Sequence, residues 1–236
     1  MEERKNIFWK DISKLTMHVE QIDRFLQTGY IDPLSMTSKS GDIVRFGTYS
    51  WIVLNKDEEE GTFFLFACRL LAINPMKYHK TLEGVTWETS DIREYLNNAF
   101  FSKFCSEDKE KIIETNVSNR ETPWFTTNGG NDTVDKIFLL SLDEIAAYMG
   151  DSGQLSKKSW PHDTPVDKTK PCLITDEYCG LHSAKNEFGE NFRYWLRSAG
   201  RDETSAAIIR EDGTIDLGGD IINTTAGVRP AMWVKL

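Results

Sequence analysis

The chain has 236 residues, of which 39% are apolar and 28% charged, and its 37 acidic against 28 basic side chains leave a net charge of −9. A chain of this length can bury a substantial core and suits one domain with an appendage. Its acidity repels phosphate backbones, so nucleic acid and anionic membrane are not expected partners.

No apolar run nears the length of a bilayer span; the stretch from Phe63 to Cys68 is typical. The charged start, Met1 to Lys5, is not followed by the apolar core of a secretory signal. Cytoplasmic location and reduced Cys68, Cys105, Cys172 and Cys179 are therefore expected.

Phe8, Ile12, Leu15, Val19, Ile22 and Leu26 recur in steps of three and four, which predicts an N-terminal amphipathic helix ended near Gly29. Its stripe either lies on the main domain or pairs with a second subunit or another protein. Residues 31–40, with Pro33 and several hydroxyl side chains, read as a linker. The domains expected are thus 1–40 and 41–236. From Gly41, the segments Ile43–Phe46, Tyr49–Leu54 and Thr62–Leu71 read as an antiparallel meander.

Ser90 predicts the cap of a helix from Asp91 to Ala99 with Ile92, Tyr95, Leu96 and Ala99 facing inward. A second helix is expected after Ser106, with Ile112 and Ile113 inward. Residues 116–135 read as loop, because Pro123 and the run Asn128 to Asp132 suit turns. A short strand from Lys136 to Leu140 precedes a third helix, Leu142 to Tyr148, capped by Ser141 with Asp143 and Glu144 at its positive end.

Residues 150–188 read as a long irregular segment, a kind of loop that is usually functional or mobile. The end is all strand: Phe192–Ser198, Ser205–Arg210, Thr214–Leu217, Asp220–Asn223 and Val228–Lys235. Turns are expected at Asp212-Gly213 and at Gly218-Gly219. The class is α+β, with the last strand free to return beside the first.

Four segments occur in order: Trp87 to Asn97, Ile137 to Ser141, Tyr194 to Ser198, and Gly227 to Ala231. They resemble the bacterial domain of unknown function 6273 family over about Gly41 to Leu236. That family carries no established activity, so the likeness brings no mechanism. The order of elements also resembles a C-type-lectin-like fold. The segment Gly227 to Ala231 is similar to the closing strand of its formylglycine-generating and phage tropism-determinant branches. The resemblance implies paired terminal strands, two to three helices on the sheet, and long irregular loops carrying the ligand site.

Arg93, Arg197 and Arg229 suit buried clamps, since a guanidinium can hold several carbonyls or a carboxylate at once; ligand contact is the alternative. Trp87, Trp195 and Trp233 read as core, and with the arginines they form the structural signature. Trp124, Phe125 and Trp160 sit in loop segments beside Pro and polar residues. With Asn128, Asn131 and Asp132 they are the candidate ligand-binding set, offering ring faces and directional hydrogen bonds to a sugar, small molecule or protein.

The oxygens of Asn128, Asn131, Asp132 and Asp135, and of Asp212, Asp216 and Asp220, are of the kind calcium prefers, but turn chemistry explains them too. Cys172, Cys179 and His182 lack an evident fourth zinc ligand nearby. No nucleophile elbow and no phosphate-binding glycine loop occurs. No catalytic residue, metal or cofactor is predicted. The leading expectation is a non-enzymatic recognition module. The alternatives are an enzyme on a formylglycine-generating-enzyme-like scaffold using Cys172, Cys179 and His182, or an assembly protein that oligomerises through the N-terminal helix.

Overall fold

The computed structural model describes residues 30–72, 75–157 and 172–236. The amphipathic stripe Phe8–Leu26 and Trp160 lie outside the described residues. The described residues divide into two compact units: 30–68, 104–113 and 232–236 belong to the first, and 69–72, 75–103, 114–157 and 172–231 to the second. Both mix sheet and helix, and the named strand pairs are antiparallel.

The first unit is built on the meander β1 (Ile43–Phe46), β2 (Tyr49–Asp57) and β3 (Thr62–Ala67). Five of the six β3 residues are buried, so this strand needs a neighbour on each side. One is β2; the other is β13 (Pro230–Lys235), whose residues from Met232 onward belong to this unit. The last strand therefore returns beside β3 and not beside β1. Its Trp233 stacks on Phe64 at 4.9 Å between ring centres.

Edge strand β1 instead meets the segment read as a linker, through Leu34 N–H to Arg45 O and Arg45 N–H to Asp32 O. Trp51, fully buried, donates its indole N–H to Phe46 O at 3.0 Å. Gly47, at φ +61, turns β1 into β2 under the Phe104 ring. Helix α2 (Ser106–Lys111) is capped one residue earlier than expected, at Cys105. Ile112, beyond its end, is buried.

In the second unit, α1 (Asp91–Tyr95) starts where Ser90 accepts from Arg93 N–H. It continues as a π turn over Leu96–Phe100. That extra residue per turn rotates the stripe: Ile92, Leu96 and Phe100 are buried, whereas Ala99, expected inward, is exposed. β5 (Thr115–Val117) pairs with β6 (Thr133–Asp135), so the expected loop is closed at its base by a two-stranded ribbon. β7 (Phe138–Leu139) pairs with Pro230 and Ala231, and β4 (Met76–Lys77) pairs with β12 (Thr225–Ala226).

Helix α3 (Leu142–Met149) carries a complete capping box, Ser141 with Glu144. Single turns α4 (Gln154–Lys157) and α5 (Cys179–His182) add to the three expected helices. A four-stranded sheet runs β8 (Leu173–Ile174), β11 (Ile215–Ile221), β10 (Ser205–Ile209), β9 (Tyr194–Ala199).

The turn expected at Gly218-Gly219 does not form. β11 runs straight through, and the register shifts between Ala206 and Ile208. Gly219, at φ +65, takes a bulge in which any Cβ would collide with the Ala206 carbonyl. No helix among the described residues is long and apolar enough to cross a membrane.

Candidate functional site

The signature residues all carry hydrogen bonds or ring contacts. Trp87 is buried and donates its indole N–H to Asp135 Oδ2 at 2.8 Å. Arg93 Nε donates to Asp135 Oδ1 at 2.7 Å and its Nη1 to Glu88 O at 2.9 Å. Thr133 Oγ1 donates to the same carboxylate at 2.7 Å. Asp135 thus ties the α1 region to β6 from inside.

Trp195 donates to Met76 O at 2.9 Å and meets Tyr78 edge-on. Arg229 Nη1 donates to His182 O and to the Tyr194 hydroxyl, each at 3.1 Å, with its guanidinium 5.4 Å from the Tyr194 ring centre. Burial pushes the Tyr78 hydroxyl well above the ordinary tyrosine range and raises that of Tyr194 as well.

Arg197 comes from β9 and reaches three neighbouring segments. Its Nη1 donates to Leu139 O at 2.8 Å and to Glu144; its Nη2 donates to Ser118 O and Glu144 Oε1, both at 3.1 Å. The guanidinium also lies over the Phe138 ring. Glu144 simultaneously closes the α3 capping box by accepting from Ser141 N–H. One carboxylate therefore fixes a helix start and neutralises a buried arginine.

The loop from 118 to 132 folds onto this anchor. Asn119 N–H donates to Asp132 Oδ1 at 2.8 Å, and Asn119 Nδ2 to Asn131 O at 2.9 Å. Thr122 Oγ1 donates to Ala199 O at 2.6 Å. Gly130 N–H donates to Asn128 Oδ1, and Asn131 Nδ2 to Glu88 Oε2. Gly129 lies flat on the Asn119 and Arg120 carbonyls, where a Cβ has no room.

Trp124 is 3% exposed and Phe125 9%. The Trp124 indole N–H donates to Leu155 O at 3.1 Å. Their ring faces are packed inward and pin the loop; Asn128, Asn131 and Asp132 shape its backbone and rim.

Between this loop, α3 and β9 lies an open cleft of about 300 Å³. Its lining includes Ser118, Asn119, Arg120, Glu121, Pro123, Ser141, Asp143, Glu144, Tyr148, Arg197 and Ser198. A second, strongly polar cleft of about 430 Å³ is bordered by Glu88, Arg93, Glu94, Asn97, Asn98, Glu114, Asp135 and Lys136. Its Asp135 oxygens are fully engaged, Asn97 braces Lys136 N–H and Ile137, and Lys136 lies over Phe101.

The acidic clusters are spent on turns and ion pairs. Asp212 Oδ1 accepts from Thr214 N–H, which holds its carboxyl below the usual range; Asp216 pairs with Arg210, and Asp220 with Arg193. Cys172 is buried and Cys179 Sγ accepts from Asp176 N–H. His182, fully buried, places Nδ1 3.0 Å from Gly213 O and Nε2 2.8 Å from Gly150 O. Among the described residues no group of three His, Cys, Asp or Glu stands close enough to hold a metal ion.

The partners of the arginines could not be paired by sequence alone. Asp135 lies 42 residues from Arg93, and Glu144 lies 53 from Arg197. The one available signal was that Glu144 stands three residues after Ser141, the spacing of a capping box.

A mixed helix-and-sheet domain with a loop-walled cleft is the class these features define. The chain belongs to the family described as a domain of unknown function (DUF6273), whose sequence model matches residues 51–236. No curated protein and no solved structure matched the chain.

Proposed function

We propose that the chain is a non-enzymatic recognition module that takes a carbohydrate or protein ligand at the cleft between the loop 118–132, α3 and β9. The observation that carries this reading is the preorganised loop. Its backbone is fixed by Asn119, Thr122, Asn128 and Asp132, and it is anchored by buried Trp124. A loop ordered before binding loses little conformational freedom when a ligand arrives.

The ionisable groups deepest in the cleft, Arg197 and Glu144, are committed to each other and to backbone carbonyls. This favours recognition over proton transfer. The mostly antiparallel sheets, short helices and ribbon-based loop support a C-type-lectin-like core for residues 41–236. A bacterial cytoplasmic setting and an N-terminal helix able to pair copies of the chain complete the proposal.

The test is capture of the labelled full chain on glycan arrays and on peptide arrays, alongside Arg120→Glu and Glu121→Lys. Both residues are exposed at the cleft rim, so the fold tolerates their change. One ligand class is captured by the wild type and at least tenfold less by the rim variants. Failure of capture on both arrays, or capture indifferent to both variants, refutes the reading.

A further inference from the structure

Side-chain alternation gives the meander β1–β3 two faces. Val44, Phe46, Trp51 and Val53 lie on one of them, and all four are buried. Phe104 covers that face, its ring 6.0 Å from Phe46 and 5.7 Å from Tyr49. It leads into α2, the only helix among the described residues of this unit, whose Asp108 stands beside Gly47.

The other face is apolar as well. Ile43 faces Ile52 across β1 and β2, and Ile52 faces Phe66 across β2 and β3. Phe64, two residues before Phe66, shares its side, and Trp233 stacks on Phe64. Leu54 is the extra residue of the bulge between Val53 and Asn55, where Asn55 faces Phe64. Ile43, Ile52, Leu54 and Trp233 are half-buried. A sheet face left to water alone alternates to polar residues. One lined by isoleucine, leucine, phenylalanine and tryptophan calls for a covering layer.

The chain itself delivers an occupant. Arg45 lies two residues from Ile43, on the same face, and its guanidinium sits over the Tyr30 ring at 6.0 Å from the ring centre. Arg45 also bonds Asp32 O and Leu34 N–H along the β1 edge. The described residues thus begin at the margin of this face. Leu26 stands four positions before Tyr30, within about 14 Å of chain. Residues 8–26 lie outside the described residues, but their sequence carries the apolar stripe. A helix of that length runs about 28 Å, and β1, β2, β3 and β13 stand about 4.8 Å apart, so one helix crosses all four strands.

We infer that this sheet face is the docking site of the chain's own segment 8–26, seated through Phe8, Ile12, Leu15, Val19, Ile22 and Leu26. The short tether favours the own segment over that of a second copy, because it sets an effective concentration of about millimolar. The inference is independent of the cleft. Pairing of copies then requires the segment to leave its own sheet for a partner's.

The experiment reads amide hydrogen exchange over 8–26 and methyl NMR of Ile43, Ile52 and Leu54 in the full chain, with light scattering alongside. Exchange over 8–26 is expected to be at least about tenfold slower than in a free peptide of the same sequence, in a monomer and at every protein concentration. Leu54→Glu abolishes that protection. Leu15→Glu abolishes it too and shifts the Ile52 and Leu54 methyl signals while Val44 and Val53 keep theirs; it also serves should Leu54→Glu unfold the unit.

Free-peptide exchange rates over 8–26 in the wild type overturn the inference. Protection that survives Leu54→Glu, with the Ile52 and Leu54 methyls unmoved by Leu15→Glu, overturns the face. Protection that disappears on dilution together with a dimer overturns the own-chain occupant and assigns the face to a second copy.

Discussion

Replacing Asp135 by alanine removes a carboxylate whose side chain is 0% exposed and which receives Trp87 Nε1, Arg93 Nε and Thr133 Oγ1. Losing one member of a buried ion pair costs about 3–5 kcal/mol. Arg93 is 28% exposed on its side chain and regains water, which places this loss near the lower bound. The Trp87 N–H, by contrast, stays buried without an acceptor, adding about 1 kcal/mol or more. The expected total is about 4 kcal/mol, a large share of the roughly 5–15 kcal/mol that holds a domain folded.

Urea unfolding followed by tryptophan fluorescence reads the change directly. In a melt it corresponds to roughly 10 °C at this chain length. Asp135→Asn, which keeps the shape and an acceptor oxygen, is expected to lose less than half as much. A loss below about 1 kcal/mol for the alanine variant would refute the claim that this carboxylate braces the signature.

Trp124→Ala is expected to cost about 3–5 kcal/mol in unfolding experiments, because it empties a buried site and leaves Leu155 O unpaired; an unchanged midpoint contradicts the packing described. Gly219→Ala forces a Cβ into the Ala206 carbonyl at positive φ, and a loss of about 2 kcal/mol or more is expected from chemical denaturation.

Burial holds His182 below the ordinary histidine value, with Arg229 acting in the same sense; the Gly213 and Gly150 carbonyls and Asp176 pull the other way. A depressed folded value makes the neutral ring the stabilising form. Its contribution is complete above about pH 6.5 and is lost as the pH falls through the folded value. Unfolding free energies taken from pH 8 to 5 should show this decline in the wild type and lack it in His182→Gln. A wild-type curve that instead rises toward acid contradicts the sign.

Local chemistry made much of the fold legible. Ser90 and Ser141 cap helices because a hydroxyl before an apolar stripe has few other local uses. The meander β1–β3 follows from its turns and its runs of strand-forming residues. Features set by distant partners were not legible.

The π turn after Tyr95 swaps Ala99 for Phe100 on the buried face, a choice decided by packing and not by propensity. Gly218-Gly219 has the composition of a turn, and only the facing strand β10 reveals it as a bulge. The aromatics of the candidate ligand set sit in loop sequence, but their exposure is a tertiary property. Trp124 is buried, and Leu155 O accepts its indole N–H.

The most direct measurement pairs unfolding free energy with ligand affinity on two sets of variants: Trp195→Phe and Arg229→Met from the signature, Arg120→Glu and Glu121→Lys from the cleft rim. The account predicts that the signature variants lose stability, and that the rim variants keep it while binding weakens at least tenfold. Signature variants that stay as stable as the wild type yet no longer bind would contradict it, and would place Trp195 and Arg229 in the site itself.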